Sequence, residues 1–487
     1  MNYMNEIKRC DSLEFLKKQK DFSIDVNYSD PPYNLGSEII VRPDGRMDYF
    51  RKGDFMNKWE AMSGDWWAEW FKEAYRTLKY GGYCVMFSID RQCSLFKYYA
   101  IMAGFSERQS IYWFFCSNFP KSADLSKNLD KNAGAERKVV GIDENKLRPN
   151  RKSEKEGGER ILAGGLKSDN GATITAPSTL LAKKYDGYKY SICPLKQCVE
   201  IVMIFQKSYK TKSCLHDVLA YENGDKECCC GALNIEKGRV GTEKITEGRA
   251  KQKGSINWNG DDRSNGKGSG YKETPPENPE QHTGRYPAQT FCNSQSAEVL
   301  DRQSGDRPSW KGQNHNSFNP YGGNSLLKSD TKREGKFEGF NDTGGCSKIL
   351  HKCDFEKDEH DIYFYCSKVS KQERNAGCEG MEDLEFKSDV PVPQRKERPF
   401  NPVKNFHPCL KPISLNRRIL QLFKTPNPQK IIYPFAGSFS EVIGGYQAGF
   451  KDFIGCEISE EYIKIGEARF KHYKNEIDLK NRQKPLF

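Results

Sequence analysis

The segment Asp30-Pro31-Pro32-Tyr33 combines residue types that could align a reacting amino group. The Asp30 carboxylate and the Pro31 carbonyl can each accept one N–H bond from such a group. Two consecutive prolines have a fixed φ and no backbone N–H, so the loop is stiff and the carbonyl keeps its direction. Tyr33 offers a flat face on which a planar ring can stack. The competing interpretation is an ordinary Pro-Pro turn after a strand.

A second candidate site is the run Pro434-Phe435-Ala436-Gly437-Ser438, a glycine turn between a predicted strand and a predicted helix. Such a turn brings backbone amides close to a ligand at the carboxyl edge of a parallel sheet. Glu457 ends the next predicted strand, 20 residues after Gly437. An acidic residue there can accept hydrogen bonds from both ribose hydroxyls of a nucleoside cofactor.

A third motif, His407-Pro408-Cys409-Leu410-Lys411-Pro412, precedes a helix that leads into the glycine turn. A lone His-Pro pair would be uninformative, whereas His-Pro-x-x-Lys-Pro is uncommon by chance. We expect Lys411 and Ser414 to lie at the edge of the same cofactor site.

Both ends of the chain carry the pattern of α/β structure, in which apolar strands alternate with amphipathic helices. In residues 1–116 we predict strands at 24–28, 83–87 and 109–115 and helices at 66–79 and 94–103, with Gly81-Gly82 ending the first helix. In residues 396–475 we predict strands at 430–434 and 453–457 and helices at 440–448 and 459–474, the last one capped by Ser459.

The middle of the chain, residues 117–395, is polar and mostly irregular in pattern. Two apolar strands are predicted within it, at 198–206 and 361–366. The stretch 247–336 is rich in Gly, Asn, Ser, Lys and Asp, a composition shared with disordered chains.

The 487-residue chain has a formal net charge of +11, which suits a polyanionic partner such as nucleic acid. Its 28 Phe, 24 Tyr and 7 Trp suffice for a sizeable core. The start of the chain lacks an apolar signal segment, and no run of about 18 apolar residues occurs. We therefore expect a cytoplasmic protein with no membrane span.

The 17 cysteines are expected to be reduced thiols. A zinc site is the alternative, because Cys and His residues cluster between 346 and 378 and three cysteines are consecutive at 228–230. No Cys-x-x-Cys pair occurs there, so the spacing is poor for a structural zinc site. We expect no metal.

The three motifs together resemble those of the β-class DNA amino-methyltransferases, in which an Asp-Pro-Pro-Tyr loop comes first and the cofactor turn lies near the C-terminus. The opening CDSLEFLKKQKDFSIDVNYSDPPYNLG and the closing NFHPCLKPISLNRRIL through GCEISEEYIKIGEARF match the family's motifs. GFSERQSIYWFFCSNFPKSADLSKNLDKNAGAERKVVG and SKVSKQERNAGCEG resemble its phage and prophage branch. The resemblance covers nearly the whole chain.

The resemblance implies an α/β fold, a Rossmann-like seven-stranded S-adenosylmethionine-dependent methyltransferase sheet, circularly permuted, with a large inserted target-recognition region. The C-terminal region would supply the first two strands and the N-terminus the third and fourth, with Asp11 ending the third. The implied boundaries are 1–116 and 396–475 for the two parts of the catalytic domain, 117–197 for an insertion, 198–207 for an antiparallel sheet strand, 208–395 for the target-recognition region and 476–487 for a tail.

The implied reaction is methyl transfer from S-adenosyl-L-methionine to an exocyclic amino group of a flipped base in double-stranded DNA. The catalytic loop would be Asp30, Pro31, Pro32 and Tyr33. The cofactor would be bound by Asp11, Lys411, Ser414, Pro434, Phe435, Gly437, Ser438 and Glu457.

Adenine N6 is the favoured target, because Asp at the first loop position is typical of adenine enzymes and Ser of cytosine-N4 enzymes. Cytosine N4 is the alternative. Methylation of cytosine carbon 5 needs a cysteine nucleophile, and Cys409 follows a proline, but it belongs to the His-Pro-x-x-Lys-Pro motif. A DNA-binding relative with weakened catalysis is a further alternative. A homodimer and a partner endonuclease are both compatible with this class.

Three residues depart from the family's pattern. Phe439 stands where the family usually has glycine in a Gly-Ser-Gly turn, and its side chain could crowd the cofactor or point away from it. Cys409 replaces the usual Thr, and Tyr433 replaces a frequent Asp.

Overall fold

A mixed, mainly parallel sheet forms the centre of the described part of the chain, with helices on both faces. The computed structural model describes residues 5–33, 37–51, 62–114, 121–142, 173–247, 280–292, 294–305, 307–308, 343–344, 351–352, 371–381, 404–405, 407 and 409–482. The predicted strand at 361–366 lies outside these ranges.

The strands, in chain order, are β1 (Glu6–Arg9), β2 (Ile24–Ser29), β3 (Ser37–Val41), β4 (Met47–Arg51), β5 (Leu78–Ser88), β6 (Ser106–Glu107), β7 (Ile111–Phe114), β8 (Lys121–Asp124), β9 (Val139–Ile142), β10 (Thr173–Thr175), β11 (Lys189–Cys193), β12 (Val199–Gln206), β13 (Val240–Glu247), β14 (Glu280–Arg285), β15 (Thr290–Cys292), β16 (Arg307–Pro308), β17 (Thr343–Gly344), β18 (His351–Lys352), β19 (Lys430–Tyr433) and β20 (Asp452–Glu457).

The helices are α1 (Ser12–Lys17), α2 (Gly64–Thr77), α3 (Cys93–Met102), α4 (Leu125–Asn132), α5 (Leu180–Lys184), α6 (Cys214–Glu222), α7 (Ile235–Gly238), α8 (Ser294–Ser304), α9 (Lys371–Asn375), α10 (Ile413–Phe423), α11 (Ser440–Ala448) and α12 (Glu460–Arg482).

The central sheet has the strand order β1, β20, β19, β2, β5, β12, β7, β15 and β18, and the short β6 also pairs with β12. Strand β12 runs antiparallel to β5, β6 and β7, while the other neighbours are parallel. Ten strands of the described residues therefore join one sheet, where the resemblance implies seven. The remaining strands form two-stranded ribbons: β3 with β4, β8 with β11, β9 with β10, β13 with β14 and β16 with β17.

The inner strands are buried on both faces because successive side chains point to opposite sides of the sheet. In β5, for example, Val85 and Phe87 enter one apolar cluster and Cys84 and Met86 the other. The first cluster is covered by α10, α11 and α12, and the second by α1, α2 and α3. This three-layer packing is what excludes water from the middle of the sheet.

The predicted helix at 66–79 is found as α2, but the residues that end it are different from those expected. The helix begins after Ser63, whose hydroxyl accepts the Trp66 N–H, and ends at Thr77. Gly81 and Gly82 lie inside β5 instead, with Gly81 at a φ of +79°. The strand therefore begins directly at the helix end, and Gly81 provides a left-handed backbone conformation within the strand.

The described residues contain neither a candidate membrane span nor a candidate metal site. No helix among them is long and apolar enough to cross a bilayer. In the same ranges no group of three or more His, Cys, Asp or Glu side chains could hold a metal ion.

The parallel strands β1, β20, β19 and β2 are neighbours, so their carboxyl ends lie at one edge of the sheet. Asp11 follows β1, Glu457 ends β20, the glycine turn follows β19 and Asp30 follows β2. Segments that are about 400 residues apart in the chain are thereby placed side by side.

Candidate active site

A cavity of about 640 Å³ opens at this sheet edge. That volume lies within the usual range of small-molecule sites. Its walls are Cys10, Asp11, Ser12, Asp30, Pro31, Pro32, Tyr33, Met62, Ser63, Trp66, His407, Cys409, Leu410, Pro434, Phe435, Gly437, Ser438, Glu441, Glu457, Ile458, Ser459 and Tyr462.

The Asp30 carboxylate is held by a buried lysine. The Lys411 ammonium donates to both carboxylate oxygens of Asp30, at 2.9 and 2.7 Å, and lies 3.3 Å from Glu200. Tyr33 donates its hydroxyl to Asp30 at 3.0 Å. Because a carboxylate has about four acceptor positions, Asp30 keeps capacity for one more N–H donor.

Burial alone would lower the pKa of Lys411, but the Asp30 and Glu200 carboxylates raise it above its usual value. Lys411 is 3% exposed and is therefore a permanently charged clamp. The pKa of Tyr33 is well above its usual value because its hydroxyl is buried and faces Asp30. Tyr33 thus acts as a donor to Asp30 and never as a phenolate at ordinary pH.

The glycine turn is fastened to the end of β20. The Gly437 N–H donates to one carboxylate oxygen of Glu457 at 2.9 Å, and the Ser459 N–H donates to the other at 2.9 Å. Burial raises the pKa of Glu457, and these backbone donors oppose the rise. Each Glu457 oxygen retains acceptor capacity toward the cavity.

Gly437 is required at this turn for two reasons. Its φ is +48°, and a Cβ atom built on it would lie 2.9 Å from Nε2 of His407. A side chain would therefore meet both backbone strain and the imidazole.

Arg469 of α12 supports the turn from behind. The guanidinium is fully buried and donates to the Ser438 carbonyl, to the Ser438 hydroxyl at 3.3 Å and to the Ser440 hydroxyl at 3.1 Å. Asn405 also donates to the Ser438 hydroxyl, at 3.2 Å. The turn is consequently held by side chains from two other parts of the chain.

An aromatic wall closes another side of the cavity. Phe435 stacks on Trp70 with ring centroids 5.8 Å apart and lies 6.5 Å from Trp66. Trp66 and Phe435 line the cavity, whereas Trp70 is buried behind them. This wall suits the flat face of a nucleobase.

Phe439 does not line this cavity. Its backbone is left-handed, with φ 68° and ψ 24°, which is the conformation that glycine adopts without strain. Its ring packs against α12, where a Cβ atom on Gly466 would lie 2.4 Å from it. Of the two positions considered from the sequence, the ring points away from the predicted cofactor site.

The sequence-predicted residues fall into two groups. Ten of them line the cavity: Asp11, Asp30, Pro31, Pro32, Tyr33, Pro434, Phe435, Gly437, Ser438 and Glu457. Lys411 and Ser414 are not among its lining residues. Lys411 reaches Asp30 instead, and Ser414 is buried in the first turn of α10.

Sequence reasoning missed four polar residues of the site. Glu200 of β12 is 6% exposed and lies 3.5 Å from the Tyr33 hydroxyl. A single Glu in the apolar strand CVEIVMIFQ was the available signal. Glu441 and Tyr462 line the cavity and belong to no predicted motif, while His407 lines it as the first residue of the third motif, which had given its side chain no role.

His407 is a neutral imidazole. Burial, and then the charges of Lys411 and Arg469, lower its pKa to about 3. Its ring packs edge-on against Tyr462, with centroids 4.5 Å apart. It can therefore serve as a wall or a hydrogen-bonding group, but it brings no charge to the cavity.

The described fold and site define an α/β protein with a ligand cavity at the carboxyl edge of a parallel sheet. The DNA methylase family (N6_N4_Mtase) matches residues 24–468, and the chain belongs to this family.

Several solved structures are similar to the chain at low identity. The putative DNA modification methylase TTHA0409 from Thermus thermophilus, complexed with S-adenosyl-L-methionine, is 10% identical with a TM-score of 0.33, covering 96% of this chain and 95% of that one. The M1.HpyAVI–SAM complex is 10% identical with a TM-score of 0.31, covering 96% and 98%. The PvuII DNA methyltransferase (cytosine-N4-specific) is 12% identical with a TM-score of 0.35, covering 99% and 96%. No curated protein matches the chain.

Proposed function

We propose that this DNA methylase transfers a methyl group from S-adenosyl-L-methionine to adenine N6 in duplex DNA, with the target base flipped into the cavity. The observation that carries the proposal is the Asp30 carboxylate, fixed by Lys411 and Tyr33 at the cavity wall beside the glycine turn.

The residues present fit the cofactor. Glu457 has free acceptor positions for ribose hydroxyls, and Phe435 with Trp66 offers a flat apolar wall for the adenine. Asp11 accepts the N–H groups of Leu13 and Glu14, so it is fixed at the N-terminus of α1 beside them. When bound, S-adenosyl-L-methionine supplies an electrophilic methyl group on a sulfonium.

The protein's part is to position the amine. An exocyclic amine is a poor nucleophile because its lone pair is delocalised into the ring. Asp30 and the Pro31 carbonyl each accept one of its N–H bonds, which directs the lone pair and draws electron density onto nitrogen. Lys411 and Tyr33 fix Asp30 in place, so this alignment exists before the base arrives.

Adenine is preferred to cytosine because the loop begins with Asp and not Ser. The same arrangement would serve cytosine N4, and the identity of the methylated nucleoside distinguishes the two.

The strand order supports a circularly permuted methyltransferase sheet. The C-terminal strands β19 and β20 lie between the N-terminal strands β1 and β2. In this interpretation β19 and β20 are the first two strands, β1 and β2 the third and fourth, and β12 the antiparallel strand. The phage-like branch and residues 208–395 as target-recognition region belong to the same proposal.

Binding to DNA should depend strongly on salt, because a chain with 77 Lys and Arg against 66 Asp and Glu displaces counterions from phosphates. The described region around α5 exposes Lys183 and Lys184, and Tyr188 beyond it is 60% exposed. Cationic and aromatic side chains together suit nucleic-acid contacts. A flat salt response would count against this binding mode.

The decisive experiment is transfer of labelled methyl groups to unmethylated DNA, followed by digestion and identification of the methylated nucleoside. We expect N6-methyladenine, and no transfer by Asp30→Ala. Asp225→Ala is a matched control, because Asp225 also accepts a lysine ammonium at 2.7 Å but lines no part of the cavity.

Two results would overturn the proposal. N4-methylcytosine as the product would replace adenine by cytosine. DNA binding without transfer under saturating cofactor would favour a DNA-binding protein with lost catalysis.

A further inference from the structure

Glu441 is a buried carboxylate in the cavity wall that the proposed reaction does not use. It lies in the first turn of α11, is 5% exposed and lines the same cavity as Asp30 and Glu457. Burying a carboxylate is costly unless a partner compensates its charge.

The other cavity carboxylates already have partners. Asp30 is bound by Lys411 and Tyr33. Glu457 accepts two backbone N–H groups, and Asp11 accepts two at the start of α1. Within the described residues, the Glu441 side chain makes no hydrogen bond or ion pair with another residue. Its only donor among them is its own backbone N–H, so the carboxyl group keeps acceptor positions toward the cavity.

The charges around Glu441 come from several elements. Asp30 after β2 repels a negative charge there, while Lys411 before α10 and Arg469 of α12 attract one. The Tyr433 hydroxyl of β19 is also close enough to be affected by Glu441. Lys411 and Arg469 make their hydrogen bonds to Asp30 and to the glycine turn, and the pKa of Glu441 stays raised despite their charges.

The position of Glu441 indicates which part of the cofactor it meets. Along the sheet edge, Asp11 and Glu457 come first, then the glycine turn and α11, then Asp30. A cofactor with its ribose at Glu457 and its methyl group directed toward Asp30 places its amino-acid end over the start of α11.

We infer that Glu441 binds the α-ammonium group of the methionine moiety of S-adenosyl-L-methionine. The inference rests on the proposed function for the cofactor. An ammonium offers three N–H donors as well as its charge, whereas the sulfonium has a charge but no N–H. The acceptor positions that Glu441 keeps toward the cavity can be filled by the N–H groups of the ammonium, whereas the sulfonium has none to offer.

The test is the binding affinity of the full-length chain for three probes, measured by calorimetry. S-adenosyl-L-methionine has both cationic groups, S-adenosyl-L-homocysteine has only the ammonium, and 5′-methylthioadenosine has neither. We expect Glu441→Gln to weaken the binding of S-adenosyl-L-methionine and of S-adenosyl-L-homocysteine by about 10- to 100-fold, as for a lost charge-assisted hydrogen bond. The affinity for 5′-methylthioadenosine should not change. Glu460→Gln, an exposed glutamate that pairs with Lys464, should change none of them.

Each other outcome contradicts the inference in a distinct way. A loss of affinity for S-adenosyl-L-methionine alone would assign Glu441 to the sulfonium. An equal loss of affinity for all three probes would make the role of Glu441 structural. Unchanged binding of all three would exclude contact. If the natural chain binds none of the probes, the proposed function fails together with this inference, so the two failures are distinguishable.

Folding of the variant is checked separately. Glu441→Gln is close in shape and removes a buried ionisable group, so its unliganded thermal midpoint should be no lower than that of the natural chain. A large drop would indicate a structural role, and Glu441→Asp should then fail to restore the binding of S-adenosyl-L-homocysteine.

Discussion

Lys411 holds Asp30 by both carboxylate oxygens, at 2.9 and 2.7 Å, across 381 residues of chain. It also lies 3.3 Å from Glu200, so one ammonium is shared by two carboxylates that have little exposure to solvent. The predicted catalytic loop is therefore fixed by two residues from other parts of the sequence.

Replacing Lys411 by methionine should destabilise the fold and abolish transfer. Asp30 and Glu200 would then both lose their shared counter-charge, and breaking a buried ion pair costs about 3–5 kcal/mol. Urea unfolding measures the loss. Adding Glu200→Gln to Lys411→Met should recover part of it, since one of the two charges is removed. If the two substitutions lowered the free energy of unfolding by simply additive amounts, Lys411 would not be shared by Asp30 and Glu200.

Tyr33→Phe separates the ring from the hydroxyl. The ring can still stack on a base, but the 3.0 Å hydrogen bond to Asp30 is lost. We expect kcat to fall by about 10- to 100-fold, the equivalent of a hydrogen bond to a charged group. Tyr33→Ala should lower kcat further. It should also reduce base flipping, measured by the fluorescence of 2-aminopurine at the target position. Equal kcat values for the two variants would exclude a stacking role.

Phe439→Gly should leave cofactor affinity within about threefold, because the ring does not line the cavity. It should nevertheless lower stability, since the packing of a buried ring is lost while only about 1–2 kcal/mol of left-handed strain is relieved.

Gly466→Ala should destabilise the natural chain, because the new methyl group meets the Phe439 ring. In the Phe439→Gly variant, Gly466→Ala should lower the free energy of unfolding far less, because the ring that the methyl group would meet is absent. A double-mutant cycle by urea unfolding gives the coupling.

Glu457→Ala should weaken all three cofactor probes, including 5′-methylthioadenosine, by about 10- to 100-fold. The reason is that Glu457 faces the nucleoside end in the proposed binding mode and also accepts the Gly437 N–H. This pattern differs from the one expected for Glu441, whose loss spares the nucleoside probe. Calorimetry on both variants under the same conditions compares their affinities for the three probes. If both variants lost affinity for the same probes, Glu457 and Glu441 would not bind different ends of the cofactor.

The stability of the unliganded chain should depend on Glu441 ionisation. Burial, and then Asp30, raise the pKa of Glu441 from 4.5 to about 8. Between these values the folded chain keeps a proton that the unfolded chain has released, so the free energy of unfolding falls as pH rises and levels off above about 8.

Glu441→Gln lacks this titration, while Asp30, Lys411, Tyr433 and Arg469 remain in both proteins. The stability of the variant relative to the natural chain should therefore increase with pH across that window. Urea midpoints at several pH values measure it, and a constant difference would contradict the raised pKa of Glu441.

Much of the architecture could be predicted because local patterns determine it. Apolar runs such as 24–28 and 430–434 become buried strands, and the helix at 440–448 is found with the predicted bounds. Where a local signal was ambiguous, the prediction was wrong: Gly81 was taken as a helix stop, but it lies within β5. Glycine marks an unusual backbone angle, and the sequence does not say which element needs it.

The sequence by itself determined the chemistry-bearing loop, the glycine turn and the acidic residue after it, because each is encoded by a few adjacent residues. Only the tertiary structure decided what those residues contact. Glu200, Lys411 and Glu441 come from three distant segments, and sheet pairing brings them to the cavity or to Asp30. The direction of the Phe439 ring was likewise decided by α12, which offers Gly466 at the point of contact. Contacts of this kind depend on how the layers pack, which no local pattern records.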